Sequence, residues 1–520
     1  MSAAIWILSI FAVTNYMLFG TNLGNLSSEM KYDLELSFTT KSYLFNSIVL
    51  IILGIISLVV WFRKKDFVRA IYPILIISVF GMSIYNMSSI ANKIPLIKRL
   101  IERENREKPT FTLSRNGKNV IVFMLDRGIS GYVPYLFKEK PELVSQFDGF
   151  TWYPNTLSFG TRTNTGSPAL FGGYEYTPER INKRNTEPLV NKQNEALKVM
   201  PILFNRAGYK VTVCDPPYAG YTWIPNLSIF DEYDDIRAFN TGNGQFSNQS
   251  DTLSVMQQIW KRNIFCYSIM KISPLLLQSM IYQNGSYYNP RIMDSVILKT
   301  QFTHSNSISI GVKDSFINSY AALCALTDMT QITEEKTNTF LMMANDTAHN
   351  SIMLKEPQYE PELYVNNTEY DQTHTDRFIC NGRTLLSDTA YKISHYQSNM
   401  ASFIQLGKWF DYMRKQGVYN NTRIILVADH GWPLEQFTDM LFGKLDPQKT
   451  IYNPEDVMAY NPLLMVKDFG SKGFTTDNRF MTNADTPLLA MNQIIKDPVN
   501  PFTQNAMNDE AKSEDEQHVF

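Results

Sequence analysis

The chain has 520 residues, 44% hydrophobic and 19% charged, enough for two to four domains at roughly 100–200 residues each. Forty-eight basic and fifty acidic side chains leave a formal charge of -2, which excludes the basic excess that nucleic-acid binders use against phosphates. The four cysteines, Cys214, Cys266, Cys324 and Cys380, form no C-x-x-C pair; a zinc ribbon and a thioredoxin-like motif are excluded, while free thiols and one or two disulfides both stay open.

Three apolar stretches come first: Ala3 to Phe19, Tyr43 to Phe62 and Ala70 to Ala91. Each approaches the roughly 20 residues needed to cross a bilayer as a helix. The second ends on Arg63, Lys64 and Lys65, a cluster typical of a cytoplasmic loop. That orientation predicts a multi-pass protein of the cell membrane, with everything after Asn92 extracytoplasmic. Lys93, Lys98, Arg99, Arg103, Arg106 and Lys108 pull the other way, although long translocated domains obey charge bias poorly. The first stretch has no basic n-region or A-x-A site, which argues against a cleaved signal peptide; earlier spans in a longer chain, or buried helices of a soluble protein, are the alternatives.

From Gly117 onward short apolar runs alternate with amphipathic segments. Asn119 to Leu125, Tyr209 to Cys214, Thr339 to Ala344, Arg423 to Ala428 and Pro462 to Val466 read as buried strands of a parallel sheet. A helix carries Met400, Phe403, Leu406, Phe410 and Met413 ahead of a turn at Gly417. Strands alternating with helices imply an α/β sheet with ligands at the carboxyl ends of its strands. Ser254 to Tyr282 is apolar but interrupted by Lys261, Arg262, Lys271 and Pro274. It reads as a packed helical insertion, with a surface that touches membrane or lipid as the alternative. The polar tail after Ala506 reads as disordered.

Three strand ends carry polar groups: Asp126, the run Asn345-Asp346-Thr347-Ala348-His349, and Asp429-His430-Gly431. Carboxylate and imidazole at one sheet edge suit zinc or manganese. Each alone has a structural explanation, a helix-capping aspartate or a hydrogen-bonded core histidine. His374, Asp376, Arg377 and Arg383 lie in a polar loop, where an arginine would clamp phosphate or simply be solvated. His395 reads as structural, and Asp485 in TNADTPLL as either a site residue or a helix cap.

Asp126 after its strand, the Thr-rich turn SFGTRTNTGSPALFGG from Ser158 to Gly173, and VYNNTRIILVADHG ending in Asp-His-Gly together resemble the alkaline phosphatase/sulfatase superfamily. Within it the sequence is most similar to lipoteichoic acid synthases and lipid A phosphoethanolamine transferases. The resemblance implies N-terminal transmembrane helices (1–92), a juxtamembrane linker helix (93–116), and a catalytic domain (117–500) with a mainly parallel central sheet flanked by helices, followed by a disordered tail (501–520). It implies Thr163 as nucleophile, with Thr161 and Thr165 as fallbacks, and one divalent ion, Mn or Zn, held by Asp126, Thr163, Asp429 and His430. His349 is then a general acid or a phosphate ligand, or Asp346 takes that place and binds substrate; apart from the resemblance, the loop residues His374 and Arg383 are the further substrate-binding candidates. A second metal on Asp346 and His349 stays open, one residue short of the family spacing. No cysteine lies near the turn, and Ser167-Pro168-Ala169 lacks the C/S-x-P-x-R form of sulfatases.

The implied activity moves a phosphoglycerol-type or phosphoethanolamine-type head group from a membrane lipid to a cell-envelope glycan or lipid through phospho-threonine. The alternatives are a sulfatase-like phosphodiesterase or sulfuric ester hydrolase, and a non-catalytic membrane scaffold.

Overall fold

The computed structural model describes residues 3–19, 23–24, 32, 36, 38–106, 108–242, 244–247, 252–283, 287, 302–303, 305–310, 312–362, 364–441, 456–513 and 519. The chain divides into two compact units, Met1–Glu107 with Gln249–Val296, and Lys108–Asn248 with Ile297–Phe520. The second unit therefore begins ahead of the expected boundary at 117, and residues 249–296 leave it for the first.

Helices α1 (Ala3–Thr14), α2 (Thr40–Arg63) and α3 (Lys65–Arg106) open the chain. Then come β1 (Asn119–Leu125), β2 (Phe150–Trp152), α4 (Thr163–Gly172), α5 (Leu189–Arg206), β3 (Lys210–Cys214) and β4 (Ile236–Phe239). Helices α6 (Thr252–Ile272) and α7 (Leu275–Tyr282) make the excursion into the first unit. The second unit resumes with β5 (Thr339–Asn345), α8 (Ala390–Lys415), β6 (Thr422–Val427), β7 (Leu464–Lys467) and β8 (Thr475–Thr476).

In the first unit, α2 is long and apolar enough to cross a membrane, and Ala3–Phe19 is a shorter apolar helix. The third expected span lies inside α3, which runs unbroken past residue 92 instead of ending there; several of its side chains fall outside the described residues.

The second unit is built on an eight-stranded sheet in the order β8-β2-β7-β6-β1-β5-β3-β4. Only β7 runs against its neighbours. The run Pro462 to Val466, which overlaps it, was expected among parallel strands, and burial alone reads the same in either direction. β1 is buried along its whole length, so its apolar run needs no alternation. Ile121, Phe123 and Leu125 pack with Phe403, Leu406 and Trp409 of α8 on one face. Val120, Val122 and Met124 meet Leu170 and Phe171 of α4 and Leu197, Met200 and Phe204 of α5 on the other. Each such side chain contributes about 1.5–3 kcal/mol of burial, which fixes a three-layer helix–sheet–helix stack. The Thr389 hydroxyl caps α8 by accepting from the Lys392 amide at 3.3 Å, and Gly417 at φ +74° ends the helical run.

One further expectation changes. The tail is bonded through Ser513 rather than disordered: Thr503 donates to Glu175, and the Lys512 ammonium reaches Asp485 Oδ2 at 2.9 Å. Residues 514–518 and 520 lie outside the described residues. All four cysteines are free thiols.

Candidate metal centre

Strands β1, β5 and β6 are parallel and adjacent, so their carboxyl ends bring Asp126, Asp346 and Asp429 to one edge. Met124 stands opposite Val427; two residues further along that register, Asp126 and Asp429 are side by side. The ligand atoms of Asp126, Asp429 and His430 all lie within 4.8 Å of one another, and all three residues are buried.

Thr163 enters from the first turn of α4. Its hydroxyl donates to Asp126 Oδ2 at 3.0 Å and lies 3.5 Å from His430 Nε2. His430 Nε2 is 3.7 Å from Asp126 Oδ1 and 3.6 Å from Asp429 Oδ2. His430 Nδ1 is 2.6 Å from the Gly431 carbonyl. A carbonyl only accepts, so the proton sits on Nδ1 and the Nε2 lone pair faces the carboxylates.

Burial dominates the electrostatics of this group. Burial, and then Asp429, push Asp126 up to about 7, while burial pushes Asp429 up to about 7 as well. Burial pulls His430 down to about 4, keeping it neutral at physiological pH. Asp126 Oδ1 and Asp429 Oδ2 have no hydrogen-bond partner, and a buried acceptor left alone costs about 1–3 kcal/mol. Two orphaned carboxylate oxygens, an imidazole lone pair and a hydroxyl around one point fit a divalent cation; this donor set suits Mn or Zn.

The backbone behind the site is tightly held. A Cβ at Gly166 would sit 2.3 Å from the Asp429 carbonyl oxygen, so only glycine lets α4 approach β6 this closely. The Asn483 amide donates to that carbonyl at 2.9 Å and to the Gly166 carbonyl at 3.1 Å, while Ser158 donates to the Asp429 carbonyl. Asn483 and Ser158 were missed from sequence, although both lie in segments singled out there. Asp485, two residues beyond Asn483, closes a capping box with Thr482: its carboxylate accepts from the Thr482 amide, and also from Tyr174 and Lys512.

Arg127 was also missed. It follows Asp126 in the left-handed region at φ +57°, which turns its guanidinium over the Trp432 ring, 3.5 Å from the centroid. Its Nε has no partner, and its charge acts on Asp126, His349 and His430.

The remaining sequence-predicted residues stand outside the three-ligand cluster. Asp346 is exposed, within electrostatic reach of Asp126, Asp215 and Arg127. His349 is half-buried, and burial together with the charges of Arg127 and His430 holds its pKa well below the usual imidazole value. Neither joins the three-ligand cluster. His374 is exposed, stacked on Tyr370 with centroids 3.9 Å apart, and Arg383 is paired with Asp439 over the Phe437 ring. Their partners are loop neighbours, not the cluster. Arg377 is buried among Glu139, Glu356 and Asp371, an internal ion cluster. His395 is fully buried, edge-on to Tyr391.

No family model matches the chain, and no curated protein matches it. Among solved structures it is similar to the lipoteichoic acid synthase LtaP from Listeria monocytogenes, at 12% identity over 76% of this chain and 74% of that one, TM-score 0.39. It is also similar to a protein in the alkaline phosphatase superfamily from Vibrio parahaemolyticus, at 14% identity over 72% and 66%, TM-score 0.36. The C-terminal periplasmic domain of EcEptC from Escherichia coli matches at 12% over 73% and 84%, TM-score 0.34. These likenesses are loose, and the reading of the site rests on its own geometry.

Proposed function

We propose that the chain is a membrane-anchored, metal-dependent phosphotransferase of the alkaline phosphatase/sulfatase type. It moves a phosphoglycerol-type or phosphoethanolamine-type head group from a lipid donor to a cell-envelope glycan or lipid acceptor. In this reading α1–α3 anchor a multi-pass protein and the catalytic unit is extracytoplasmic. One observation carries the proposal: the Thr163 hydroxyl sits at the first turn of a helix, 3.0 Å from Asp126 Oδ2 and 3.5 Å from His430 Nε2, beside two carboxylate oxygens without partners.

A divalent cation held by Asp126, Asp429, His430 and Thr163 would lower the hydroxyl's pKa and offset charge on the phosphodiester. Asp126 Oδ2 accepts the hydroxyl's hydrogen bond and orients Oγ1 for attack. The amino end of α4 favours the substrate's negative charge, and Arg127 offers guanidinium donors to the non-bridging oxygens. A neutral His349 suits hydrogen bonding to phosphate better than proton delivery. In the first half-reaction Thr163 Oγ1 bonds to phosphorus as the phosphorus–oxygen bond to the lipid glycerol breaks, and the lipid alcohol leaves with a proton. In the second, an acceptor hydroxyl attacks phosphorus, loses its proton, and the threonine hydroxyl is restored.

The test is intact-mass analysis of the full chain in detergent after incubation with bacterial lipids and Mn. An adduct on Thr163, absent from Thr163→Ala, supports transfer through phospho-threonine, and its mass identifies the head group. Metal-bound protein that never forms an adduct sinks the covalent route. An adduct that turns over with water alone makes the protein a phosphodiesterase.

A further inference from the structure

Helices α6 and α7 fold with the N-terminal helices; they bury Met270, Leu275 and Tyr282, yet they also bury polar side chains and expose large apolar ones. Asn263, Ser273 and Gln278 face inward, Gln278 fully buried. Phe265 is 65%, Leu276 56% and Met280 61% exposed, with Ile264 and Leu277 beside them. The inward side combines an apolar cluster around Met270 and Tyr282 with a polar hub. The Asn46 amide donates to Asn15 Oδ1 at 2.8 Å, Asn15 donates to the Ile272 carbonyl at 3.3 Å, and the Leu275 amide donates to Asn46 Oδ1 at 3.2 Å. Asn15 and Asn46 are both buried. The hydroxyl of Tyr282 accepts from the Tyr32 amide at 2.8 Å, and Tyr32 donates to Tyr267 at 3.0 Å.

In water, burying these amides while exposing five large apolar side chains loses on both counts. In lipid both choices are favourable, because polar groups join helices and apolar ones meet acyl chains. The pair contacts α2 through Asn46, and α2 is itself long and apolar enough to cross a bilayer. Residues 252–282 also contain three basic and no acidic side chains, the charge pattern of segments that lie on anionic leaflets.

We infer that the α6–α7 insertion is a lipid-embedded element that lies in the membrane against α1 and α2, with Phe265, Leu276 and Met280 in contact with acyl chains. This rests on the membrane attachment proposed above and adds that the catalytic unit is tied to the bilayer at a second place in its sequence. It makes the bilayer, rather than water or a protein, the occupant of that face.

The test uses the full chain reconstituted into vesicles of phosphatidylcholine and phosphatidylglycerol, 3:1, doped with a phosphatidylcholine bearing a diazirine in its acyl chain. After photolysis and digestion, lipid adducts are mapped by mass spectrometry. Adducts on both 40–63 and 262–283 are expected. A Leu276→Glu, Met280→Glu double variant should lose most of the labelling on 262–283 and keep that on 40–63. Labelling of 40–63 alone in the wild type overturns the inference and leaves membrane attachment standing. Labelling of neither segment overturns both.

Discussion

Replacing Asp126 by asparagine should make the metal-free protein more stable while destroying its metal site. Asp126 is buried beside Asp429, and its carboxyl rises from 3.8 to about 7. A carboxyl whose folded pKa is raised holds a proton in the folded state that the unfolded state has released. Stability therefore falls as pH climbs from about 3.8 to about 7 and levels off above that. At pH 8 the ionised group costs on the order of 4 kcal/mol, and at pH 5 somewhat under 2. Wild type in EDTA should thus lose roughly 2–3 kcal/mol more than Asp126→Asn between pH 5 and pH 8, about 3–4 °C for a unit of this size. Thermal unfolding of the full chain in detergent, with EDTA and then with Mn, measures it. Added Mn should raise the wild-type Tm at pH 8 and leave that of the variant unmoved. If the variant is no more stable than wild type at pH 8 in EDTA, the idea that burial and the neighbouring Asp429 penalise an ionised Asp126 is wrong.

Thr163→Ala should keep the fold, since it removes one hydrogen bond worth about 1 kcal/mol, yet lower turnover roughly 10³-fold or more, read by headgroup release. Gly166→Ala, whose Cβ would meet the Asp429 carbonyl oxygen at 2.3 Å, should weaken metal binding by about 10–100-fold in calorimetry, because the backbone bearing Asp429 must shift. Arg127→Gln should retain the metal and lower kcat/KM by about 10–100-fold through loss of charge-assisted bonds to phosphate; equal loss of metal affinity would reassign Arg127 to the fold.

Much of the site edge was legible because β1 and β6 are buried on both faces, and such strands read as unbroken apolar runs that end at a polar residue. Asp126 and Asp429-His430 stand at those ends. Choosing among Thr161, Thr163 and Thr165 needed the family resemblance, and geometry separates two of them: Thr165 turns back to the Arg162 carbonyl at 2.9 Å, whereas Thr163 faces Asp126. Arg127 and Asn483 were not legible, since nothing in their neighbours' types reveals a left-handed turn over Trp432 or a bridge between two carbonyls. His374 and Arg383 looked like substrate ligands only while Tyr370 and Asp439 were unknown as their partners. The pairing of 252–282 with the first helices was hidden for a different reason: amides share its buried side with Met270, Leu275 and Tyr282 while other large apolar side chains stay exposed, so the usual rule for the inward face is a poor guide.

The first unit is assembled from two stretches of chain that are made far apart in time. Asn15 and Asn46 leave the ribosome long before Ile272 and Leu275, whose backbone groups complete their bonding, so the amides have only each other and Phe11 in the interval. A shortened chain that starts at Lys108 would inherit α6 and α7 without the helices that cover their inner side. Such a preparation would self-associate through an orphaned helix pair, and its poor behaviour would say nothing about the catalytic fold. Excising residues 252–282 at the same time removes both stretches of the first unit together, and that shorter chain is the one expected to stay dispersed in water.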